Sequence, residues 1–294
     1  MSQKHFTNNF EHHVSLNQNG REAVKVIVET APAAFAKLRN LSNCTTELLA
    51  SELLIDTLPL QANKRLEYNS NGTVKGESVP SQSGKFLIST IPSCEAEDIQ
   101  SFLPQYLEYL SENSDTLLCR VLGLYKVSES IFRDYYVIIL FNPVYVDDTH
   151  FFDAPDVYRL QGGYRGPVLP PSPQHPNVFF DANSERKFSF RDQLRSLRLR
   201  IQQDVKFLRE NGRVGYELVV VAGCVKKANK EESPDSHSTR LVQESLSGDC
   251  NYLSGIYNVF GRERGTLFLS SFLQSSAVDA SATAFAQIIQ DRLE

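Results

Sequence analysis

Apolar residues recur with two different spacings along the chain, and each spacing predicts its own kind of element. The alternation in "AVKVIVET", residues 23–30, predicts a strand with one buried face. Spacings of three and four predict helices, and the clearest covers residues 189–210. Further strands are predicted at 85–91, 116–127, 134–145, 216–225 and 251–260, and further helices at 31–41, 46–55, 95–113 and 280–294. The chain therefore mixes helices with strands throughout.

Changes in composition divide this pattern into regions. Residues 1–20 are polar and predict a flexible N-terminal tail. After residue 150 the sequence becomes rich in proline, so a first lobe over 21–145 and a second over 146–294 are predicted. Residues 226–249 are polar with few apolar positions, which is typical of a mobile insert. The expected architecture is an α+β fold of two lobes.

Composition and charge narrow the classes of function. The chain has 294 residues and a net charge of −5, which argues against a basic nucleic-acid binder. Its five cysteines are widely spaced without a C-x-x-C pair, which is typical of reduced thiols, and its six histidines form no metal motif. The sequence shows neither a signal-peptide pattern nor an apolar run of membrane-spanning length. We therefore expect an intracellular, soluble protein without a metal site.

Several phrases, in order over residues 22–294, resemble the phosphatidylinositol phosphate kinase family. "TAPAAFAKLRNL", residues 30–41, is similar to its "YAPVAFRYFREL", and "TLLCRVLGLYKV", residues 116–127, is similar to its "TLLPKFYGLYCV". Residues 201–219 align without a gap to "LQRDCLVLQSFKIMDYSLL". The resemblance implies a two-lobed phosphatidylinositol phosphate kinase-like α+β fold with antiparallel sheets and flanking helices.

The resemblance also implies where the charges for phosphoryl transfer should stand. Such a reaction needs a lysine on the phosphates, carboxylates on Mg²⁺ and an acidic residue for the incoming hydroxyl. In this chain none of those family positions keeps its charge, and the family's "GASGS" phosphate loop has no counterpart. The substituted positions are Ser89 for the lysine, Arg159 and Gln161 for the Asp and Lys of "DLKGS", Gly215 for the catalytic Asp, and Asn258 for the Mg²⁺-binding Asp.

These substitutions predict a catalytically inactive relative that needs no cofactor. Removing several oriented catalytic groups together removes most of what a kinase contributes to the transition state. Packing and chemistry are separable, so the scaffold can persist as a structural or binding subunit of a larger assembly. We therefore expect protein partners, and no nucleic acid.

Two alternatives remain open. A divergent active phosphoinositide kinase would use relocated acids, with Glu217 or Asp249 sharing a metal ion with Asn258. Glu217 shares a strand face with Gly215 but is displaced from it by roughly 6–7 Å. The other alternative is phosphoinositide binding without turnover and with membrane contact. The basic residues for that role are Arg159, Arg165 and a predicted helix face of Arg191, Arg195 and Arg198, for which a solvated surface is the competing interpretation.

Overall fold

The computed structural model divides the chain into two compact units. The N-unit contains residues 1–114 and 120–145, and the C-unit contains residues 115–119 and 146–294. Both units combine helices with a sheet of mainly antiparallel strands, so the fold is α+β. The structure describes residues 9–18, 21–53, 78–81, 83–130, 133–142, 152–162, 177–181, 184–190, 193–225, 242–245, 250–260 and 270–294.

The described part of the N-unit forms one sheet in the order β1-β2-β5-β6-β4-β3 with three helices. Every neighbouring pair in this sheet is antiparallel. The strands are β1 (Asn9–Gln18), β2 (Arg21–Thr30), β3 (Ser78–Pro80), β4 (Phe86–Ile91), β5 (Val121–Ser130) and β6 (Arg133–Phe141). The helices are α1 (Pro32–Leu41), α2 (Thr46–Glu52) and α3 (Ser93–Glu112).

Two local signals explain the N-unit helices. Thr45 caps α2, because its hydroxyl accepts a hydrogen bond from the backbone N–H of Leu48 at 3.1 Å. The predicted stripe of α3 is buried, and the helix continues through Pro104. The core beside α2 packs Leu49 with Phe86, Leu122 and their neighbours. Burial of these apolar faces is what holds the helices against the sheet.

The expectation of a tail over residues 1–20 differs from the structure, because residues 9–18 form β1. Asn9 lies opposite Thr30 and Gln18 opposite Arg21, so β1 pairs with β2 along ten residues. The polar composition of this segment concealed a strand that depends on its partner. Pairing of this kind satisfies backbone groups whatever the side chains are.

The described part of the C-unit forms a second sheet in the order β10-β11-β9-β7-β8, with two helices. The expectation of antiparallel sheets is wrong for one pair, since β8 joins β7 in parallel. The strands are β7 (Phe152–Leu160), β8 (Val178–Phe180), β9 (Glu217–Val225), β10 (Val242–Glu244) and β11 (Asn251–Tyr257). The helices are α4 (Leu194–Glu210) and α5 (Ser270–Arg292).

The predicted insert over 226–249 lies mostly outside the described residues. Its described part, residues 242–245, contains β10, which pairs with β11. Helix α4 begins five residues later than predicted, because Phe190 belongs to an isolated bridge with Ser245 instead. Across the described ranges, no helix is long and apolar enough to cross a membrane.

A five-residue strap, residues 115–119, runs along the edge of β11. Leu118 forms a parallel bridge with Ile256, and the N–H of Ile256 donates to the carbonyl of Leu117 at 2.7 Å. The buried carboxylate of Asp204 on α4 accepts from the hydroxyl of Thr116 at 2.5 Å and from the N–H of Leu117 at 2.8 Å. The strap therefore ties α4 to the end of the sheet where β11 finishes.

Candidate functional site

The ends of three strands meet at one edge of the C-unit sheet. Leu160, the last residue of β7, lies opposite Leu218 of β9. Tyr257, the last residue of β11, lies opposite Glu217, the first residue of β9. The carboxyl ends of β7 and β11 therefore flank the amino end of β9. Antiparallel pairing brings three sequence-distant segments to this edge.

Glu217 is the centre of this arrangement. Its side chain is only 3% exposed. The Nε of Arg159 donates to Oε1 at 3.1 Å and to Oε2 at 3.2 Å, and Nη2 donates to Oε1 as well. The Nδ2 of Asn258 donates to Oε1 at 3.0 Å. One buried carboxylate thus connects two of the positions at which the family resemblance implies acidic residues.

Arg159 lies partly in water. Its side chain is 41% exposed, and its guanidinium carbon lies 5.9 Å from the centroid of the exposed Phe180 ring. The ring face offers the cation a favourable electrostatic contact. The guanidinium is therefore held on one side by Glu217 and on another by Phe180.

The turn after β7 is held by a second acidic side chain. Oδ2 of Asp181 accepts the backbone N–H of Gln161 at 2.7 Å and of Gly162 at 2.9 Å. Gly162 has φ +84°, and a Cβ there would lie 2.2 Å from the carbonyl oxygen of Ala284, so only glycine fits. Gln161 is exposed and uncharged, and contributes its backbone N–H to the turn.

Gly215 precedes the same strand end and has φ +72°. Its N–H donates to the hydroxyl of Ser281 at 3.3 Å, and a Cβ built there would meet no atom within 4 Å. The next residue, Tyr216, is buried with its ring edge-to-face on Phe285 at 5.0 Å. Burial raises the pKa of the Tyr216 hydroxyl above its ordinary value. Tyr216 therefore keeps its packing role beside Gly215, which stands at the position of the family's catalytic Asp.

Ser89 lies in the N-unit, in the middle of β4. Its Cα is paired with Ile138 on one side and with Ser78 on the other. The side chain is half-buried and offers a hydroxyl where the resemblance implies a lysine. It supplies no positive charge for a phosphate.

The predicted arginine face is not a single free surface. Arg195 is exposed on α4, whereas Arg198 is half-buried and donates through Nη2 to the backbone carbonyl of Leu293. Arg198 therefore helps to hold the end of the chain beyond α5, and phosphate binding by this helix face stays a prediction. Arg165 and Arg191 lie outside the described residues.

The side chains at the strand ends do not fit the Mg²⁺ ion that the resemblance implies. Mg²⁺ prefers octahedral coordination by oxygens at about 2.0–2.1 Å. Here Glu217 accepts hydrogen bonds from a guanidinium and an amide N–H, and Arg159 adds a positive charge. The amide of Asn258 is turned so that its nitrogen, not its oxygen, meets Glu217. These donors repel a metal ion.

Glu217 is the residue that sequence reasoning undervalued. The predicted displacement of Glu217 from Gly215 runs along the chain, whereas the carboxylate reaches Asn258 across the sheet. A signal was available in the quoted family phrases, where Arg159 replaces an Asp and Glu217 replaces a Ser. A cation and an anion introduced together indicate a pair. Asp249, the other relocated acid considered, lies outside the described residues.

Comparison with known proteins places these features in a family. Residues 61–256, more than half of the chain, match the profile of the family described as Phosphatidylinositol-4-phosphate 5-Kinase. A probable phosphatidylinositol phosphate kinase of Dictyostelium discoideum is 26% identical over 225 residues, covering 73% of this chain and 30% of the relative. Phosphatidylinositol 4-phosphate 5-kinase-like protein 1 of Mus musculus is 25% identical over 222 residues, covering 74% of this chain and 53% of the relative. The chain thus spans about half or less of the length of these relatives.

Proposed function

The chain belongs to the phosphatidylinositol-4-phosphate 5-kinase family, and we propose that it is a catalytically inactive member acting as a structural or binding subunit of a larger assembly. The observation that carries this proposal is that Arg159 and Asn258 both donate hydrogen bonds to the carboxylate of Glu217. In this proposal the N-unit and the C-unit correspond to the two lobes of the kinase fold, and the protein acts inside the cell.

Charge is the first argument. Phosphoryl transfer depends on positioning and on neutralising the phosphates, so the protein must supply cations to the phosphates and anions to the metal. Arg159 reverses one of those signs, Gly215 has no side chain, and Ser89 has no charge. Losing one oriented electrostatic group commonly costs about 3–4 kcal/mol of transition-state stabilisation. Several such losses together account for an inactive member.

Packing is the second argument. The apolar positions that resemble the family are buried in the strap, in β5, in α4 and in β9. Cores and sites are separable, so a fold can keep its packing while its reaction is lost. The buried positions are Leu117, Leu118, Leu122, Leu124, Leu197, Ile201, Leu208, Val219, Val220 and Val221.

A divergent active kinase is the second candidate, and one observation favours it. The carboxylate of Glu217 lies within hydrogen-bond distance of Asn258, as a relocated metal ligand would have to. For this function Arg159 would have to leave Glu217 when the metal arrives. Its partial exposure gives the guanidinium access to water, but the move would also break three hydrogen bonds to a buried carboxylate.

Phosphoinositide binding without turnover has narrower support. Arg159 and Arg195 are the described members of the predicted basic set that reach the surface. Arg159 already shares its charge with Glu217, and Arg198 is engaged with a backbone carbonyl. A headgroup site would therefore depend on two separate arginines.

A paired assay tests the proposal. The melting temperature of the protein is measured with and without ATP and MgCl₂, and phosphorylation of phosphatidylinositol 4-phosphate vesicles is measured with labelled ATP beside a known active family member. We expect neither a shift nor a labelled lipid. A shift together with labelled lipid would overturn the proposal and establish the divergent kinase.

Two further measurements separate the remaining outcomes. Flotation with vesicles that contain phosphatidylinositol 4-phosphate, against vesicles of neutral lipid, reports headgroup binding. Size-exclusion chromatography of the native protein from its own cells reports assembly. Elution far above the monomer mass supports the subunit proposal, and elution as a monomer that floats with the anionic vesicles replaces it with lipid binding.

A further inference from the structure

The strand-end group contains a buried negative charge that needs a cation. Glu217 is almost completely removed from water. Its position at the start of β9 is fixed by its own pairing with Tyr257 on one side and by the pairing of the next residue, Leu218, with Leu160 on the other. A carboxylate buried without a partner is strongly unfavourable, because the surroundings cannot replace its hydration. Whatever cation neutralises Glu217 therefore decides whether this edge of the sheet is stable.

Arg159 supplies that cation in a favourable geometry. Its Nε donates to both carboxylate oxygens of Glu217 and its Nη2 donates to Oε1, so two nitrogens of the guanidinium bind the same carboxylate. Charge-assisted pairs of this kind are the strongest hydrogen bonds between side chains. Asn258, which directly follows β11, adds a neutral donor, and its backbone takes φ +57°. Left-handed backbone is unfavourable for most residues but tolerated by asparagine.

We propose that the Arg159 guanidinium is a built-in cation that takes the place of a divalent metal ion at the ends of β7, β9 and β11. A metal and the guanidinium compete for the same lone pairs of Glu217, so the two exclude each other. The inference rests on the proposed function, because it requires that no nucleotide-bound metal displaces Arg159.

The consequence is that the strand ends at this edge of the sheet need no bound ligand to neutralise their charge. In a site that depends on a metal, the strand ends are neutralised when the metal binds. Here β7 and β9 are connected by an ion pair within one chain. The conformation of this edge is therefore the same with and without nucleotide, which suits a surface that has to be constant for a partner.

Substitution of Arg159 provides the direct test. We expect Arg159→Met to lower the melting temperature by about 10 °C, since it leaves Glu217 buried and unpaired. The matched control is Arg209→Met, because Arg209 pairs with Asp279 at 2.7 Å on an exposed surface and should contribute little. Equal melting temperatures for the two variants would overturn the proposal.

A double variant protects the test against simple misfolding. Arg159→Met combined with Glu217→Gln removes both charges, so it should recover most of the melting temperature lost by Arg159→Met alone. A double variant that is less stable than Arg159→Met would mean that the residues act by packing alone. That result would also overturn the proposal.

Metal dependence tests whether the guanidinium stands in a cation position. Melting is measured in EDTA and in excess MnCl₂ for the wild type, Arg209→Met and Arg159→Asp. We expect only Arg159→Asp to melt higher in MnCl₂, since it offers carboxylates from both β7 and β9. No response of Arg159→Asp, or a response of the wild type, would overturn the inference. Nucleotide binding and lipid phosphorylation are not measured here, so these outcomes are independent of the test of the proposed function.

Discussion

Two carboxylates are buried among the described residues of the C-unit, and they are satisfied in opposite ways. Asp204 on α4 accepts from a hydroxyl and from a backbone N–H of the strap. Glu217 on β9 accepts from a guanidinium and from a side-chain amide. Asp204 stands where the family phrase also has an Asp, whereas Glu217 stands where the phrase has a Ser. The comparison separates a carboxylate that belongs to the architecture from one that accompanies the loss of a family charge.

The difference also concerns what each carboxylate connects. Asp204 joins a helix to the strap, so its hydrogen bonds secure the chain path between elements. Glu217 joins the ends of three adjacent strands, at the edge where the resemblance implies chemistry. Neutral donors suit the first because nothing there has to change. A cation suits Glu217 because Arg159 stands where the family phrase has an Asp, so a positive charge has replaced a negative one.

Of the two carboxylates, Asp204 is expected to give the larger loss of stability when it is substituted. Asp204→Ala leaves the Thr116 hydroxyl and the Leu117 N–H buried without this acceptor, so we expect a loss of about 3 kcal/mol in the free energy of unfolding. Urea unfolding followed by circular dichroism measures it. Glu210→Ala on the exposed side of the same helix is the control, with an expected change within about 0.5 kcal/mol. Similar values for both would break the comparison.

A smaller loss is expected from Glu217→Gln. The partly exposed Arg159 can turn to water when the carboxylate is removed, and the glutamine oxygen still accepts from Asn258. We therefore expect about 1–2 kcal/mol in the same urea experiment. Arg159→Met should cost more, because it leaves the buried partner unpaired. The reverse order would show that Glu217 does not depend on the cation.

Gly215 gives a conformational effect at the same edge. Gly215→Ala places an alanine at φ +72° in open space, so we expect a loss of about 1 kcal/mol from the backbone alone. Gly212→Ala, at φ +65° and equally open, should cost the same. Gly162→Ala should cost clearly more because of the Ala284 carbonyl. If Gly215→Ala resembled Gly162→Ala, the space left by the missing acid would be needed for packing.

The smallest effect concerns a half-buried carboxylate, Glu52 of the N-unit. Partial burial raises the pKa of Glu52, but hydrogen bonds from Ser83 and Ser81 outweigh it and hold this pKa below its ordinary value. The resulting stabilisation is present above the ordinary glutamate pKa and is lost as the pH falls through the lowered one. Ser83→Ala should raise the pKa of Glu52 in an NMR titration. An unchanged pKa of Glu52 would mean that hydroxyl donors stabilise a carboxylate less than the comparison with Asp204 implies.

Periodicity predicted most elements of the fold, and the misses have a common cause. Strands β4, β9 and β11 and helix α3 follow their apolar patterns, because local alternation and helical spacing report burial directly. Strand β1 is polar, and β8 has only three residues. Strand β1 exists because the adjacent β2 offers its edge, and β8 exists because β7 does, and the apolar pattern of neither segment contains that information.

The positions of the site residues could be predicted from the sequence, but the contacts between their side chains could not. The substitutions at Arg159, Gly215 and Asn258 could be read by alignment, since each falls in a recognisable phrase. That Arg159 meets Glu217 depends on the register of β7 against β9, which places Leu160 opposite Leu218. Register is set by the whole sheet, so the pairing became visible only in three dimensions.

The strap has a consequence for cutting the chain into pieces. Residues 115–119 belong to the C-unit although the residues on both sides of them belong to the N-unit, so the chain passes between the units three times. A fragment that ends at residue 145 would keep the buried Leu117 and Leu118 but lose β11, the strand that they accompany. A fragment that begins at residue 146 would keep β11 with Asp204 and lose their strap. We therefore expect either fragment to expose apolar surface that the intact chain covers.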